Sequence, residues 1–235
     1  MADITLYTFG TPNGFKASIM LEELGLPYKV VEINLRKKEQ KEDWYLKINP
    51  NGVIPAILDG NQRVFESGAI ILYLAEKYDA ERKISYAPGT PEYTEQLSWL
   101  MFQVGGLGPS QGQAHHFRIF ADARSEYAIE RYYNETKRLY SVLDSRLKES
   151  PYLAGDKYTI ADIMHFVCVN VAPVALEIDI SEWPALKGWM ERIKQREGVK
   201  KGLGVPKGAA GAEEVAEFMK KGRARIDAMT NTDRY

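Results

Sequence analysis

The chain has 235 residues, of which 45% are hydrophobic and 27% are charged, a balance typical of a globular protein with one large domain or two modest ones. Its formal net charge of −1 gives no general attraction to nucleic acid or to an anionic membrane. The single cysteine, Cys168, excludes an internal disulfide bond and a Cys-x-x-Cys redox pair.

The N-terminal segment, "MADITLYTFG", lacks the basic stretch and the long apolar stretch of a signal peptide, so we expect none. No uninterrupted run of about 18 apolar residues occurs, and we therefore expect no membrane span. In the absence of a targeting signal, the expected location is the cytoplasm.

The first strand and the first helix are predicted at residues 4–9 and 14–24, and Gly25 is placed to end the helix. Between them lies "GTPNGFK", residues 10–16. Its Pro-Asn-Gly sequence is a strong turn signal, because Pro fixes φ while Asn and Gly tolerate the left-handed region. A polar turn rich in hydrogen-bonding groups at this junction is the first candidate for a functional segment.

A second strand is predicted at residues 29–33, and the polar segment "NLRKKEQKEDW" that follows it is expected to be partly helical. Residues 56–58 and 63–65 flank Asp59-Gly60-Asn61, which predicts a hairpin, and a helix is predicted from 67 to 78. The order is therefore β-α-β-α-β-β-α. We expect the first two strands to be parallel, because a helix connects them, and the last two to be antiparallel.

The rest of the chain is predicted to be almost wholly helical. A Pro/Gly-rich linker, "ISYAPGTP", occupies residues 84–91, which gives an α/β domain at 1–83 and an all-α domain at 92–205. Residues 206–235 are predicted to form a loosely attached tail with one short helix.

Four helices are predicted in the all-α domain. The first opens at Pro91, the second is long and amphipathic over 125–150, and the last covers 184–199. The third, "YTIADIMHFVCVNVAPVALE", is apolar enough to be central, and Thr159-x-x-Asp162 at its start is a capping-box variant. The Gly-rich "VGGLGPSQGQ" is interpreted as a helix break near the cleft between the domains.

Two local motifs carry candidate chemistry. If the Ile54-Pro55 bond is cis, the backbone of Ile54 faces outward and offers a short edge to an extended peptide, although an ordinary trans proline is favoured on local sequence alone. Ser67 is a candidate N-cap whose helix end suits a carboxylate, and Glu66 beside it suits an ammonium group. The alternative for Ser67 is a simple capping role.

Together these motifs strongly resemble the glutathione transferase superfamily over about residues 3–200. The resemblance is carried by the Thr/Pro/Asn turn and by "PNGVIPAI", "FESGAIILYLAEKY" and "GDKYTIADI". Two further stretches, "WLMFQVGGLGPSQGQAHHF" and "YAIERYYNETKRLYSVLDSRL", resemble the bacterial Nu class and the fungal class similar to the yeast nitrogen-regulator protein. The resemblance implies a thioredoxin-like N-terminal domain, a helical-bundle C-terminal domain and a cis bond before Pro55.

The resemblance also implies that glutathione brings the thiol that this chain lacks. It assigns Thr11 and Asn13 to the glutathione sulfur, where helix dipoles favour thiolate over thiol. Lowering a thiol pKa by two units corresponds to about 2.7 kcal/mol, within reach of two or three charge-assisted hydrogen bonds. Tyr7, weighed as an alternative activator, is given a packing role, and Asn13 has the alternative of a plain turn residue.

The remaining glutathione contacts follow from the same resemblance. Ile54 is expected to pair with the cysteinyl unit through its backbone, and Glu66 and Ser67 are expected to hold the γ-glutamyl end. Gln40 is expected to contact the peptide, with a solvated loop glutamine as the alternative. Arg131 is expected to reach glutathione from the neighbouring subunit of a homodimer, with a surface salt bridge as the alternative.

Other ionisable residues are given structural interpretations. His115 and His116 are adjacent and diverge on any regular element, so no metal site is expected. His165 is interpreted as a satisfied core residue and Cys168 as a small apolar one. Lys16 and Lys47 are predicted to be solvated, with a contribution to binding anionic charge as the alternative for either lysine.

Three functions remain open from the sequence. The first is addition of glutathione to small electrophiles, and the second is glutathione-dependent reduction of disulfides or hydroperoxides, which needs two glutathione thiols or a bound mixed disulfide. The third is a non-catalytic glutathione-binding or regulatory protein on the same fold. The second substrate is not identifiable, although Trp99, Phe117 and Tyr127 are candidates to contact it.

Overall fold

The N-terminal domain is built on a four-stranded mixed sheet, as a computed structural model that describes residues 2–207 and 212–232 shows. The strands are β1 (Ile4–Thr8), β2 (Tyr28–Glu32), β3 (Ala56–Asp59) and β4 (Gln62–Phe65), in the spatial order β2-β1-β3-β4. β1 and β2 are parallel, and the other two pairs are antiparallel. The predicted order of elements along the chain, the parallel pairing of the first two strands and the hairpin of the last two are confirmed.

Helices cover both faces of this sheet. Buried Ile4 and Leu6 of β1 face α1 (Pro12–Glu23) and α3 (Ser67–Tyr78), the latter with the predicted bounds. On the opposite face, Tyr7 packs against the rings of Trp44 and Tyr45 in the short helix α2 (Asp43–Leu46), with centroids 6.3 and 6.2 Å away. The alternation along β1 thus directs Tyr7 away from α1.

The C-terminal domain is helical, as predicted. Two π-helical turns, Gln103–Leu107 and His116–Phe120, flank α5. The helix continues through residues 104–113, so the predicted helix break is wrong: the Gly-rich segment changes the helical hydrogen-bonding pattern without ending the helix. The helices of this domain are α4 (Pro91–Phe102), α5 (Gly108–His115), α6 (Glu126–Glu149), α7 (Ile160–Leu176), α8 (Pro184–Lys194), α9 (Glu197–Leu203) and α10 (Ala212–Asp227).

α7 is the central helix of this domain. Most of its residues are buried, and it packs against α1, α3 and α4. The predicted capping box at its start is present: the Asp162 carboxylate accepts from the Thr159 N–H at 2.8 Å, and the Thr159 hydroxyl accepts from the Ala161 N–H at 3.3 Å. α7 therefore supplies the surface on which the site-bearing helices α1 and α3 rest.

The two domains are joined by close contact between α1 and α9. A Cβ on Gly202 would lie 2.5 Å from the Ile19 Cα, so only glycine permits this approach. The Ser18 hydroxyl donates to the Gly202 carbonyl at 2.7 Å, and Arg196 donates twice to the Glu23 carboxylate, at 2.8 Å each. These contacts fix the orientation of α1 relative to the helical domain.

The C-terminal helix corrects one prediction. α10 is packed against the second π turn and α7: Arg223 donates to the carbonyls of Val174 (2.7 Å) and Ala175 (3.1 Å), and Ile226 is fully buried. The predicted loose attachment is therefore wrong, because one face of this amphipathic helix covers carbonyls and apolar side chains that sequence periodicity alone does not locate. Residues 208–211 and 233–235 of the predicted tail lie outside the described residues.

The connection between the domains is ordered by Asp79, which follows α3. Its carboxylate accepts from the N–H groups of Lys83 and Ile84 and from the Ser85 hydroxyl, at 2.7–3.0 Å. The boundaries drawn at 83 and 91 stay a prediction. Over the described residues, none of the helices has the length and apolar character to span a bilayer.

Candidate functional site

The site begins where β1 hands over to α1. Thr11 is the N-cap of α1, with φ −134°, and its hydroxyl oxygen accepts from the Gly14 N–H at 3.2 Å. Pro12 has no N–H, and the Phe15 N–H is bound by the Thr11 carbonyl at 2.9 Å. Of the free donors at this helix end, the Asn13 N–H is thus the one left open to a ligand.

Pro-Asn-Gly is the first turn of the helix and not a separate turn before it. α1 therefore begins at Pro12, two residues before the predicted start, because Pro is well suited to the first helical position. Gly14 is required for space and not for a positive φ: a Cβ there would lie 2.2 Å from the Phe9 carbonyl oxygen. The glycine lets the open end of α1 lie directly against the end of β1.

Asn13 and Lys16 form a pair at the mouth of this turn. Asn13 is exposed, and its Oδ1 accepts from the Lys16 Nζ at 3.0 Å. Because that oxygen is engaged, the Asn13 carboxamide presents its N–H groups elsewhere, in the assignment that the bond to an ammonium requires. Lys16 itself is 2% exposed, so its predicted solvation is wrong.

Burial is the main influence on the pKa of Lys16. Its side chain lies between α1 and α7, and this burial lowers the pKa of Lys16, while the nearby Cys168 and Glu66 act in the opposite direction. The sequence did carry a signal: Lys16 follows Asn13 by three residues and so lies on the same helix face. Because lysine is rarely buried, the sequence alone did not predict the burial of Lys16.

A second open helix end lies at the start of α3. Glu66 occupies the N-cap with φ 69°, and Ser67 is the first helical residue, so the predicted N-cap at Ser67 is wrong by one position. No side chain caps this helix end among the described residues. The left-handed φ costs about 1–3 kcal/mol for a non-glycine residue, and strain of this kind concentrates at functional sites.

A cleft of about 530 Å³ brings these two helix ends together. Asn13 and Lys16 contribute from α1, and Glu66 and Ser67 contribute from the start of α3. The opposite wall comes from α4 and the first π turn, which confirms that the Gly-rich segment lies near the cleft. The residues of that wall and of the adjoining α3 surface are Leu72, Leu100, Met101, Gln103, Val104, Gly108 and Pro109.

A smaller cavity of about 140 Å³ adjoins this cleft behind Thr11 and Asn13. Cys168 and His115 line it, and the Cys168 sulfur accepts from the Gln103 side-chain amide at 3.4 Å. Cys168 is 7% exposed, in agreement with its prediction as a small apolar residue. Burial lowers the pKa of His115 to about 4, so this histidine is neutral at physiological pH.

His165 is buried on α7, as predicted, but it is only half satisfied. Its Nδ1 lies 2.9 Å from the Ala161 carbonyl, while its Nε2 has no hydrogen-bond partner among the described residues. Burial lowers the pKa of His165 to about 4. In residues 2–207 and 212–232, no group of three or more His, Cys, Asp or Glu residues is arranged to hold a metal ion.

Ile54 and Gln40 lie outside the lining of the cleft. The Ile54-Pro55 bond is cis, as expected, and the backbone N–H and C=O of Ile54 make no hydrogen bond within the described chain. Gln40 lies in a 3₁₀ turn (Glu39–Lys41) that covers Gly52, and its Oε1 is buried without a partner in the described residues. Gln40 is therefore not a solvated loop glutamine.

Arg131 is not brought to the cleft of its own chain. It is exposed on α6, its guanidinium donates to the Tyr127 hydroxyl at 3.4 Å, and it lines a separate surface pocket of about 640 Å³. It forms no ion pair with the described residues, so the alternative of a surface salt bridge is not observed.

Two family models match this chain: the glutathione S-transferase N-terminal domain over residues 2–76 and the glutathione S-transferase C-terminal domain over residues 108–197. The chain belongs to the glutathione S-transferase family. The predicted fold, a thioredoxin-like domain followed by a helical domain, is confirmed.

Individual relatives indicate which kinds of family member this chain resembles. The disulfide-bond oxidoreductase YfcG of Escherichia coli is 46% identical, over 82% of this chain and 91% of the relative. A solved glutathione transferase homologue from Lodderomyces elongisporus, with two glutathione molecules per subunit, is 44% identical, with a TM-score of 0.85 over 88% of this chain and 100% of that chain.

The glutathione transferase URE2P6 of Phanerochaete chrysosporium, solved with oxidised glutathione, is 41% identical, with a TM-score of 0.83 over 92% of this chain and 98% of that chain. The expected resemblance to fungal enzymes of this type is confirmed.

Proposed function

We propose that this protein binds glutathione in the cleft between its domains and uses the glutathione thiol to reduce small disulfides. The observation that carries the proposal is that two uncapped or partly uncapped helix N-termini, those of α1 and α3, open into one cleft. Such helix ends favour anions, and glutathione offers a carboxylate and a thiolate.

The γ-glutamyl end fits the start of α3. Its α-carboxylate would accept from the free N–H groups of Ser67 and the next residues, and its ammonium would donate to the Glu66 carboxylate. The unpaired backbone of Ile54 would pair with the cysteinyl unit, as a short strand edge does with a peptide. Gln40 is kept as a proposed contact to the peptide through the part of its side chain that remains exposed, because its Oε1 is enclosed by the protein.

The sulfur would then lie at the start of α1. The Thr11 hydroxyl oxygen accepts from Gly14, so its own proton is available to donate to a thiolate. The Asn13 N–H and carboxamide add further donors. Charge-assisted bonds of this kind contribute about 1.5–3 kcal/mol each, enough to lower a thiol pKa by about two units.

The proposed reaction is a pair of thiol–disulfide exchanges. The first glutathione thiolate attacks one sulfur of a disulfide R–S–S–R, which forms a mixed disulfide and releases one RS⁻. A second glutathione thiolate attacks the glutathione sulfur of that mixed disulfide, which forms glutathione disulfide and releases the other RS⁻. Two thiols of glutathione are oxidised and one disulfide is reduced, so no cysteine of this chain takes part.

The relatives support this choice of reaction. YfcG carries the name of a disulfide-bond oxidoreductase, and solved neighbours hold two glutathione molecules or glutathione disulfide. The cleft of about 530 Å³ lies within the ordinary range of ligand pockets, about 300–1,000 Å³.

Addition of glutathione to apolar electrophiles is a second candidate. Leu72, Leu100, Met101 and Val104 give the cleft an apolar wall that would hold such a substrate beside the same thiolate. Hydroperoxide reduction and a detoxification role would use this thiolate too and stay predictions. We also propose that the protein is a cytoplasmic homodimer in which Arg131 reaches the glutathione of its partner subunit.

The test is glutathione-dependent reduction of a symmetric hydroxyalkyl disulfide, followed through release of glutathione disulfide. We expect turnover by the natural protein and an approximately tenfold higher KM for glutathione in Glu66→Gln, with kcat preserved, because a charged hydrogen bond to the substrate is lost. Glu81→Gln is the matched control, since Glu81 pairs with Lys83 on the surface away from the cleft.

Glutathione binding without turnover of disulfides or of an aryl halide would overturn the enzymatic proposal in favour of a binding or regulatory protein. Turnover of the aryl halide alone would make conjugation the function. An unchanged KM in Glu66→Gln would remove Glu66 from the binding site.

A further inference from the structure

One buried ammonium group faces the proposed glutathione cleft without a counter-ion. Lys16 is 2% exposed and lines the cleft between Asn13 and Glu66. Its Nζ donates to the Asn13 Oδ1 at 3.0 Å, and within the described residues it has no carboxylate oxygen inside 4.0 Å. Two of its three N–H bonds therefore remain for a ligand.

A cation in this position destabilises the empty protein. Taking an ammonium out of water is unfavourable unless an opposite charge accompanies it. The groups that surround Lys16 are Asn13 on its own helix, Glu66 at the start of α3, and Cys168 and His165 on α7. Glu66 acts from a distance and the histidine is neutral, so neither supplies a paired anion.

The bond from Lys16 also sets the orientation of Asn13. An ammonium can only donate, so the Asn13 oxygen must point toward Lys16 and the Asn13 N–H groups must point away from it. The carboxamide of Asn13 borders both the cleft and the small cavity behind Thr11. An asparagine carboxamide can both donate and accept hydrogen bonds. The bond from Lys16 leaves the Asn13 carboxamide to act as a donor toward a ligand.

We propose that Lys16 is a positioning residue for the glutathione sulfur: its ammonium orients the Asn13 carboxamide to donate to the sulfur, and its charge favours the thiolate. This inference rests on the proposed glutathione site. The unpaired charge in the empty protein is then explained by the anion that the site receives.

The experiment is a pH titration of the thiolate absorbance of glutathione bound to the full-length protein. In Lys16→Met we expect the pKa of the bound thiol to rise by about one unit, because a nearby charge and an oriented donor are lost. In Lys16→Gln the pKa of the bound thiol should lie between the values in the natural protein and in Lys16→Met. The glutamine amide still donates to Asn13 but carries no charge. The Tm of unliganded Lys16→Met should rise, because an uncompensated buried charge is removed.

Lys157→Met is the matched control. Lys157 is a half-buried lysine whose pKa is also lowered by burial, and it donates to the carbonyls of Arg82 and Ser85 away from the cleft. Its replacement should lower the Tm and leave the thiol pKa of bound glutathione unchanged.

A thiol pKa that is the same in Lys16→Met and in the natural protein would overturn the positioning role, while glutathione binding itself would stand. A lower Tm of Lys16→Met with that unchanged pKa would make Lys16 a structural residue. If the natural protein does not bind glutathione at all, the proposed function and this inference both fail.

Discussion

Helices α1 and α7 have the same residue type at the N-cap, but the first helix end is open to solvent and the second is buried. Each has a threonine at the N-cap, Thr11 or Thr159, whose hydroxyl oxygen accepts a backbone N–H of the first turn. Three residues after the cap, α1 has Gly14 and α7 has Asp162. The two helix ends therefore differ at the third residue after the cap.

In α7 the N-terminus is closed by its own side chains. One Asp162 oxygen accepts from the Leu153 N–H and the Trp189 indole N–H, at 3.1 and 2.8 Å, and the other accepts from the N–H and hydroxyl of Thr159, at 2.8 and 3.2 Å. In α1 no carboxylate returns to the cap, the Asn13 N–H has no hydrogen-bond partner in the described chain, and Asn13 lines the cleft.

The comparison shows how one capping device serves stability in one helix and a candidate site in the other. Where the third residue carries a carboxylate, the helix dipole is satisfied inside the protein. Where that residue is glycine, the helix end stays close to its strand and keeps a donor for a ligand.

The largest expected effect is on the closed helix end. Both Asp162 oxygens accept hydrogen bonds, so in Asp162→Asn the NH₂ group that replaces one of them must face donors. We expect the free energy of unfolding to fall by about 3 kcal/mol. Chemical denaturation measures this change, with the exposed Asp179→Asn as the control. An Asp162→Asn protein of unchanged stability would show that the box at α7 is not the stabilising feature that its geometry indicates.

The next effect is on the open helix end. Asn13→Ala removes a donor to the sulfur, and we expect kcat/KM for disulfide reduction to fall about 10- to 100-fold with little change in stability. Steady-state turnover and thermal unfolding of the same preparation separate the two quantities. Asn134→Ala, an exposed asparagine on α6, is the control. Full turnover by a folded Asn13→Ala would reduce Asn13 to a residue of the first helical turn.

Replacing the two threonines compares the caps directly. Thr159→Ala should lower the free energy of unfolding by about 1 kcal/mol without affecting the activity of the folded protein. Thr11→Ala should lower both, because its hydroxyl is assigned to cap the helix and to donate to the sulfur. Thr11→Ser should restore activity, since it keeps the hydroxyl. Equal loss of activity in both alanine variants would contradict the distinction between the caps.

The smallest effect is expected at Tyr7. Its ring packs against Trp44 and Tyr45 on the face of the sheet opposite α1, so Tyr7→Phe should change kcat/KM by less than about twofold. A loss as large as that expected for Asn13→Ala would assign thiol activation to the tyrosine and not to the helix end.

Local sequence predicted those elements whose signals lie within a few residues. Asp59-Gly60-Asn61 between two short β-prone runs predicted the hairpin, and Thr159-x-x-Asp162 predicted the closed cap, because both depend on side chains and backbone in the same turn. The start of α3 was predicted correctly at residue 67, although the cap itself falls on Glu66.

Predictions failed where a distant part of the chain decides the environment. Lys16 is buried because α7, about 150 residues later, lies against α1. α10 is attached because its Arg223 meets carbonyls at the end of α7. In both cases the contacting residues lie far away in the chain, so a pattern read over a few neighbouring residues does not predict the contact.

Short-range signals were sufficient to predict the order of strands and helices, the closed cap at Thr159 and the family pattern that contains the proposed site residues, because turns, caps and periodicity act over a few residues. The cap at Thr11 emerged only from the structure, since α1 was expected to begin at residue 14. Long-range packing, by contrast, brings the starts of α1 and α3 to one cleft, encloses Lys16 there and leaves Arg131 at a separate pocket. The physical reason is that burial and charge environment depend on which helices pack together, and that packing joins residues far apart in the chain.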